Sequence, residues 1–100
     1  MKKKYISCDK TEIVLVQKGK KATISHLTYD QIKRIEISHS MDKKMFKKVP
    51  TEKIEIFTPK NLEPYVFTKL KYPEYFDEYK QDLRNFAEKH HLTFHDQTQE

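Results

Sequence analysis

The stretch Pro73-Glu74-Tyr75-Phe76-Asp77-Glu78-Tyr79-Lys80-Gln81-Asp82-Leu83-Arg84-Asn85-Phe86-Ala87-Glu88-Lys89-His90 decides the fold. At about 100° per residue, Tyr75, Phe76, Tyr79, Leu83, Phe86, Ala87 and His90 fall within an arc of about 120°. Glu74, Asp77, Glu78, Gln81, Arg84, Asn85 and Glu88 fall opposite. Pro73 suits a first helical position, where its missing N–H would be unpaired anyway. Early acidic residues and the late Lys89 favour the helix dipole. The spacing therefore predicts one helix over 73–90. Glu74/Glu78 and Glu78/Asp82 are like-charge pairs at i,i+4, which weaken an isolated helix. The aromatic face must hold it, and the partner for that face has to come from residues 1–70.

Upstream, the periodicity changes to that of strands. Lys4–Cys8 is short and extended. Thr11–Gln17 carries Ile13-Val14-Leu15-Val16, too short for a helix and rich in β-branched residues. Lys18-Gly19 turns the chain into Lys20–His26, where Ala22, Ile24 and His26 alternate with Thr23 and Ser25. Leu27–Gln31 is a break. Ile32–Ser38 reads as a strand with Ile35 and Ile37 on one face, and the out-of-phase Ile32 predicts a bulge or single turn near Lys33. His39–Val49 admits two readings. Met41, Met45, Phe46 and Val49 have helical spacing, while Lys44–Val49 fits an edge strand guarded by lysines and ended by Pro50. The strand is preferred. Thr51–Thr58, with Ile54 and Ile56 inward, and Glu63–Leu70 complete seven strands before the helix. Leu92-Thr93-Phe94 tucks back after it. The expected class is α+β, mainly β: an antiparallel meander capped by one C-terminal helix.

One hundred residues make a single domain, 1–100, with an ordered core expected over about 4–94. The net charge of +5 is unevenly spread. Residues 1–60 hold 15 Lys/Arg against 7 Asp/Glu, and residues 61–100 hold 5 against 8. A basic front faces an acidic, helical back, and a basic face attracts phosphates, nucleic acid or anionic membrane. The lone Cys8 excludes an internal disulfide and fits a reducing compartment. No apolar run approaches the ~18 residues of a membrane span. Met1–Cys8 opens like a signal peptide, but Asp9 and Lys10 interrupt any apolar core. A cytoplasmic protein is expected.

After the hairpin Ile13–Ile24 comes Thr28-Tyr29-Asp30-Gln31-Ile32-Lys33-Arg34-Ile35. It resembles the "T-Y-D-x-I-x-x-I" step into the fourth strand of small bacterial pleckstrin-homology-like (PH-like) proteins. The element order resembles theirs over about residues 4–94. The resemblance implies a bent, nearly closed barrel of about seven antiparallel strands, plugged at one end by the helix, and a binding module in place of an enzyme. The chain has no tryptophan, so Phe76, Leu83 or Phe86 would fill the place of the family's helix tryptophan. The first turn, Cys8-Asp9-Lys10-Thr11, carries one lysine where inositol-phosphate binders have a basic signature.

Candidate ligand contacts are basic. Lys18, Lys20 and Lys21 surround the Gly19 turn and suit phosphate or anionic lipid as point charges; a solvated hairpin tip is the plainer explanation. In Lys43-Lys44-Met45-Phe46-Lys47-Lys48, four lysines flank an apolar pair. Phe46 would dip into a membrane or stack on a base; in the plainer explanation it points into the core. On one strand Lys44 and Lys48 share a face with Phe46, and Lys43 and Lys47 share the other with Met45, so the charge is split. A helix would gather all four. The preferred strand thus speaks against strong membrane or nucleic-acid affinity.

His90, His91 and His95 lack the cysteine or carboxylate partners of a metal site, so no metal or cofactor is expected. Cys8 and Ser7 have no nucleophile context, and one glycine cannot build a phosphate-cradling loop. An enzyme is the least supported class. The leading expectation is a binding or scaffold module that recognises a protein partner by strand addition at a sheet edge. The alternative is an anionic-surface binder for phospholipid or nucleic acid.

Overall fold

The computed structural model describes residues 4–19 and 21–98. Strands β1 (Ile6–Cys8), β2 (Glu12–Gln17) and β3 (Thr23–Thr28) form one antiparallel sheet. A single 3-10 turn, Tyr29–Gln31, leads into β4 (Arg34–Lys44) and β5 (Lys47–Phe57). With β6 (Tyr65–Thr68) and β7 (Thr93–Asp96) they make a second sheet, ordered β6-β5-β4-β7. Helix α1 (Phe76–His90) lies between β6 and β7 in sequence. The fold is mainly β with one C-terminal helix, but its strands form two sheets, not a closed barrel.

Period-2 hydrophobics build the core. Ile13 and Leu15 of β2, Ile35 and Ile37 of β4, Ile54 and Ile56 of β5 and Phe67 of β6 are fully buried. Onto them pack Phe76, Tyr79, Leu83, Phe86 and Ala87 of α1, five members of the expected stripe. On β3 the inward side differs from the expected one. Leu27 is buried and Ile24 exposed, because the register sets Leu27 opposite the core-facing Ile13 and leaves Ile24, three residues away, on the other face. The expected single turn near Lys33 is present at 29–31.

The helix begins later than Pro73. Tyr75 adopts φ 63°, ψ 11°, and helical geometry starts at Phe76. Its other end is a Schellman closure. The Leu92 N–H donates to the Ala87 carbonyl (2.8 Å) and the His91 N–H to Glu88 (3.4 Å), with His91 at φ 57°. The reversal sends Thr93–Asp96 along β4.

There β7 runs parallel to β4, correcting the all-antiparallel expectation. The reason is topological. α1 carries the chain from the end of β6 back across the sheet, so the next strand must repeat the direction of β6. Among the described residues, six strands precede the helix and one follows it.

The stretch 39–50 is neither helix nor lone strand. β4 and β5 pair over eleven positions, closed by Lys44↔Lys47 with Met45-Phe46 as a two-residue turn. Met45 has φ 58°, the positive sign such tight hairpin turns need. Pro50 does not end a strand; it sits opposite Met41 within β5. Successive residues of a strand point their backbone groups to alternate sides. Lys69 N–H donates to Glu52 O, which places even-numbered β5 residues on the β6 side. β6 ends opposite Lys53, so Pro50 lies on an open edge where its missing N–H forfeits no bond.

Candidate functional site

Beyond its pairing with β6 and β7, the β4–β5 hairpin projects as a two-stranded arm. Its turn brings the four lysines together, which no single strand can do. Lys43 lies opposite Lys48 and Lys44 opposite Lys47, one pair on each face. Like charges directly opposite each other destabilise a ladder. Among the described residues, none of the four has a carboxylate within ion-pair distance. Phe46 is 96% exposed and Met45 85% exposed, so the expectation that Phe46 enters the core is overturned. The turn turns both side chains out because the core ends at the Ile37–Ile54 pair, seven ladder positions below the Lys44–Lys47 pair that closes the turn.

The arm is braced on one side. Thr68 hydroxyl donates to Asp42 Oδ2 (3.1 Å), and Leu70 N–H donates to Thr51 Oγ1 (3.1 Å). Between the arm and residues 69–73 lies an open hollow of about 520 Å³, lined by His39, Lys44, Pro50, Thr51, Glu52, Lys69, Leu70 and Pro73. Glu52 is neutralised there by Lys80 Nζ at 2.9 Å. Lys69 thus joins the basic end of the molecule. Nothing in the local sequence announces it, since its place depends on β6 ending beside the arm. Met41 is also exposed on the arm.

The first lysine group divides. Lys18 is held in place: its N–H donates to Tyr72 OH (2.9 Å) and its Nζ to the Lys71 carbonyl (2.9 Å). The same ammonium lies 4.9 Å and 5.1 Å from the ring centres of Tyr5 and Tyr72. It ties the β2–β3 turn to the segment before α1. Lys21 is exposed, and Lys20 lies outside the described residues.

Cys8 and His90 are engaged within the fold. Burial pushes the Cys8 thiol up to about 12. His90 stacks on Tyr29 (4.5 Å between ring centres), and its Nε2 is 2.7 Å from the Lys10 carbonyl. His91 closes the helix and His95 lies on β7. No three His, Cys, Asp or Glu side chains among the described residues converge as a metal site. No helix among the described residues is long and apolar enough to cross a membrane.

Compared with protein-family models, curated proteins and solved structures, the chain matches none.

Proposed function

We propose that the protein is a non-enzymatic module that docks on an anionic phospholipid surface through the tip of the β4–β5 hairpin. The carrying observation is the tip itself: two unneutralised lysine pairs around an exposed Met45-Phe46. Each lysine near an anionic leaflet contributes about 1 kcal/mol, so four give on the order of 4 kcal/mol, a millimolar interaction alone. Inserting Phe46 adds about 1.5–3 kcal/mol, which brings the affinity to roughly 10–100 micromolar. Binding of this kind is reversible and steeply salt-dependent. The element order, with one helix closing a mainly β unit, supports retaining the likeness to PH-like modules, and with it a binding role. The unpaired Cys8 is consistent with a cytoplasmic face.

The test is co-sedimentation with phosphatidylserine-containing and neutral vesicles, at low and physiological salt. Binding should need the anionic lipid, weaken with salt, and drop at least tenfold in Lys47→Glu/Lys48→Glu and in Phe46→Ser. Equal binding to neutral vesicles, or indifference to both variants, overturns the proposal. A gel shift with duplex and single-stranded DNA is the control. Tighter binding there would transfer the tip to nucleic acid.

A second reading, recognition of a protein partner by strand addition, draws on the edge of β4. The Gln97 N–H on the Ile37 carbonyl marks odd-numbered residues as outward-facing. Lys43 N–H is taken by the Asp42 carboxylate. At His39 and Met41 the outward backbone groups have no partner among the described residues. A partner strand would add there with little salt dependence, and would protect those two amides from hydrogen exchange.

A further inference from the structure

The two sheets separate at the opposite end of the molecule, and the gap is a candidate binding site. β3 and β6 are edge strands of different sheets and do not pair. Between them lies a cavity of about 440 Å³, within the range of small-molecule sites. Leu27 of β3, Pro59 and Tyr65 of β6 give it apolar walls. Thr58 joins the lining. It is 7% exposed, and its buried hydroxyl has no hydrogen-bond partner among the described residues. Buried polar groups in native folds are normally satisfied, so an orphan in a cavity wall marks a place for a ligand atom.

The mouth is polar and carries both charges. On one side the 3-10 turn presents Asp30 and Gln31. Asp30 Oδ1 accepts a hydrogen bond from the Thr28 hydroxyl. Gln31 Oε1 accepts from the Thr28 N–H (3.0 Å), so its amide N–H groups remain as donors. These are the residues of the Thr28–Gln31 motif, for which hairpin-tip docking has no use. On the other side stand Lys60 and Asn61, the latter donating through Nδ2 to Tyr65 OH (3.3 Å) and so keeping Oδ1 as an acceptor.

We infer that this cavity binds a small zwitterion with an apolar tail, of the chemical class of free α-amino acids with aliphatic or aromatic side chains. A simple anion would meet Lys60 but also Asp30. A simple cation would meet Asp30 but also Lys60. A molecule bearing an ammonium and a carboxylate on neighbouring atoms satisfies both rims, and its side chain lies between Leu27 and Tyr65. The Thr58 hydroxyl has both a donor and an acceptor to offer. The site is remote in sequence and place from the hairpin tip and does not depend on its role.

The experiment is an amide-NMR titration of the full chain with L-phenylalanine and L-leucine. Hydrocinnamate, which lacks the ammonium, and phenethylamine, which lacks the carboxylate, are run beside them. Saturable shifts are expected at Leu27, Gln31, Thr58 and Asn61, with about millimolar or better affinity for the amino acids and at least about tenfold weaker binding of each single-charge analogue. Lys60→Glu, an exposed change that leaves the core untouched, should weaken phenylalanine binding about tenfold. Thr58→Val keeps the shape, removes the hydroxyl, and should weaken it further. No saturable shift with either amino acid overturns the inference. So does equal binding of the single-charge analogues, or binding indifferent to Lys60→Glu.

Discussion

The Tyr79 hydroxyl accepts a hydrogen bond from the Tyr5 N–H at 2.8 Å, joining the first turn of α1 to the entry of β1 across 74 residues of sequence. Tyr79 is fully buried, so its aromatic ring fills the core while its hydroxyl satisfies a backbone donor that lies ahead of the first ladder pair. Burial raises the phenol pKa above its ordinary value, so the hydroxyl is neutral at all physiological pH.

Tyr79→Phe should therefore cost about 1–3 kcal/mol, the usual effect of stranding a buried donor, though the ring volume is kept. Phe86→Ala and Leu83→Ala should cost about 2–5 kcal/mol by emptying core sites. Glu88→Ala, on the exposed face, should change stability by less than about 0.5 kcal/mol. Urea melts of the four variants decide this; a Tyr79→Phe protein as stable as the parent would remove the bond from any stabilising role.

Cys8 should be chemically silent in the native protein. Burial is the main reason its thiol titrates near 12, with the Asp82 charge adding to the effect and Lys4 opposing it. The thiolate is the reactive form, and at pH 8 roughly one thiol in ten thousand carries it. Maleimide or disulfide-reagent labelling should be slow in buffer and fast in denaturant. Rapid native labelling would contradict the burial of the β1 terminus.

Acid should weaken the attachment of β7 through Asp96. Its side chain is 3% exposed. Burial alone would raise its pKa, but hydrogen bonds from the Thr98 hydroxyl and N–H, with the charges of Lys80 and Arg84, hold it below the ordinary carboxylate value. A carboxyl depressed on folding adds stability that is complete above its unfolded pKa of about 3.9 and lost as pH falls through the lower folded value. Stability measured from about pH 5 down to pH 2 should fall more steeply for the parent than for Asp96→Asn. Parallel curves would mean that Asp96 is not linked to folding.

His91→Gly should stabilise the protein by about 1 kcal/mol. A non-glycine residue in the left-handed region costs roughly 1–2 kcal/mol, and glycine removes that cost at some expense in chain entropy. The β-branched His91→Val should destabilise it. Thermal melts that rank glycine below histidine would show that the His91 side chain outweighs its backbone strain.

What the sequence made legible follows the reach of its local signals. The helix stripe and the inward Ile35, Ile37, Ile54 and Ile56 are periodic within one element, and they pack as read. Arg84 lies on the polar arc by angle, yet β7 covers it: its guanidinium is 3.7 Å from Asp96 Oδ2 and sits over the Phe94 ring. Periodicity fixes a direction but not what another strand later brings there. Pro50 and the Met45 turn misled for a related reason. Proline stops a central strand but not an open edge, and a hairpin turn is usually announced by glycine or asparagine. Without either signal, Met45-Phe46 reads as a strand interior. Lys18 looked free because its partners, Tyr72 and Lys71, are more than fifty residues away. For the lysine-flanked stretch, composition named the residues, and the unforeseen turn decided that they converge.

The reach of the β4–β5 arm past the core also bears on how the protein can change. None of the fully buried side chains comes from residues 39–52. The tip is therefore largely uncoupled from the stability threshold that restricts most substitutions. Lengthening the turn, reversing its charge or replacing Met45-Phe46 with another loop leaves the two sheets and α1 to fold as before. Such a peninsula can diverge in sequence faster than the body that carries it, and it offers a ready place to graft a foreign recognition loop.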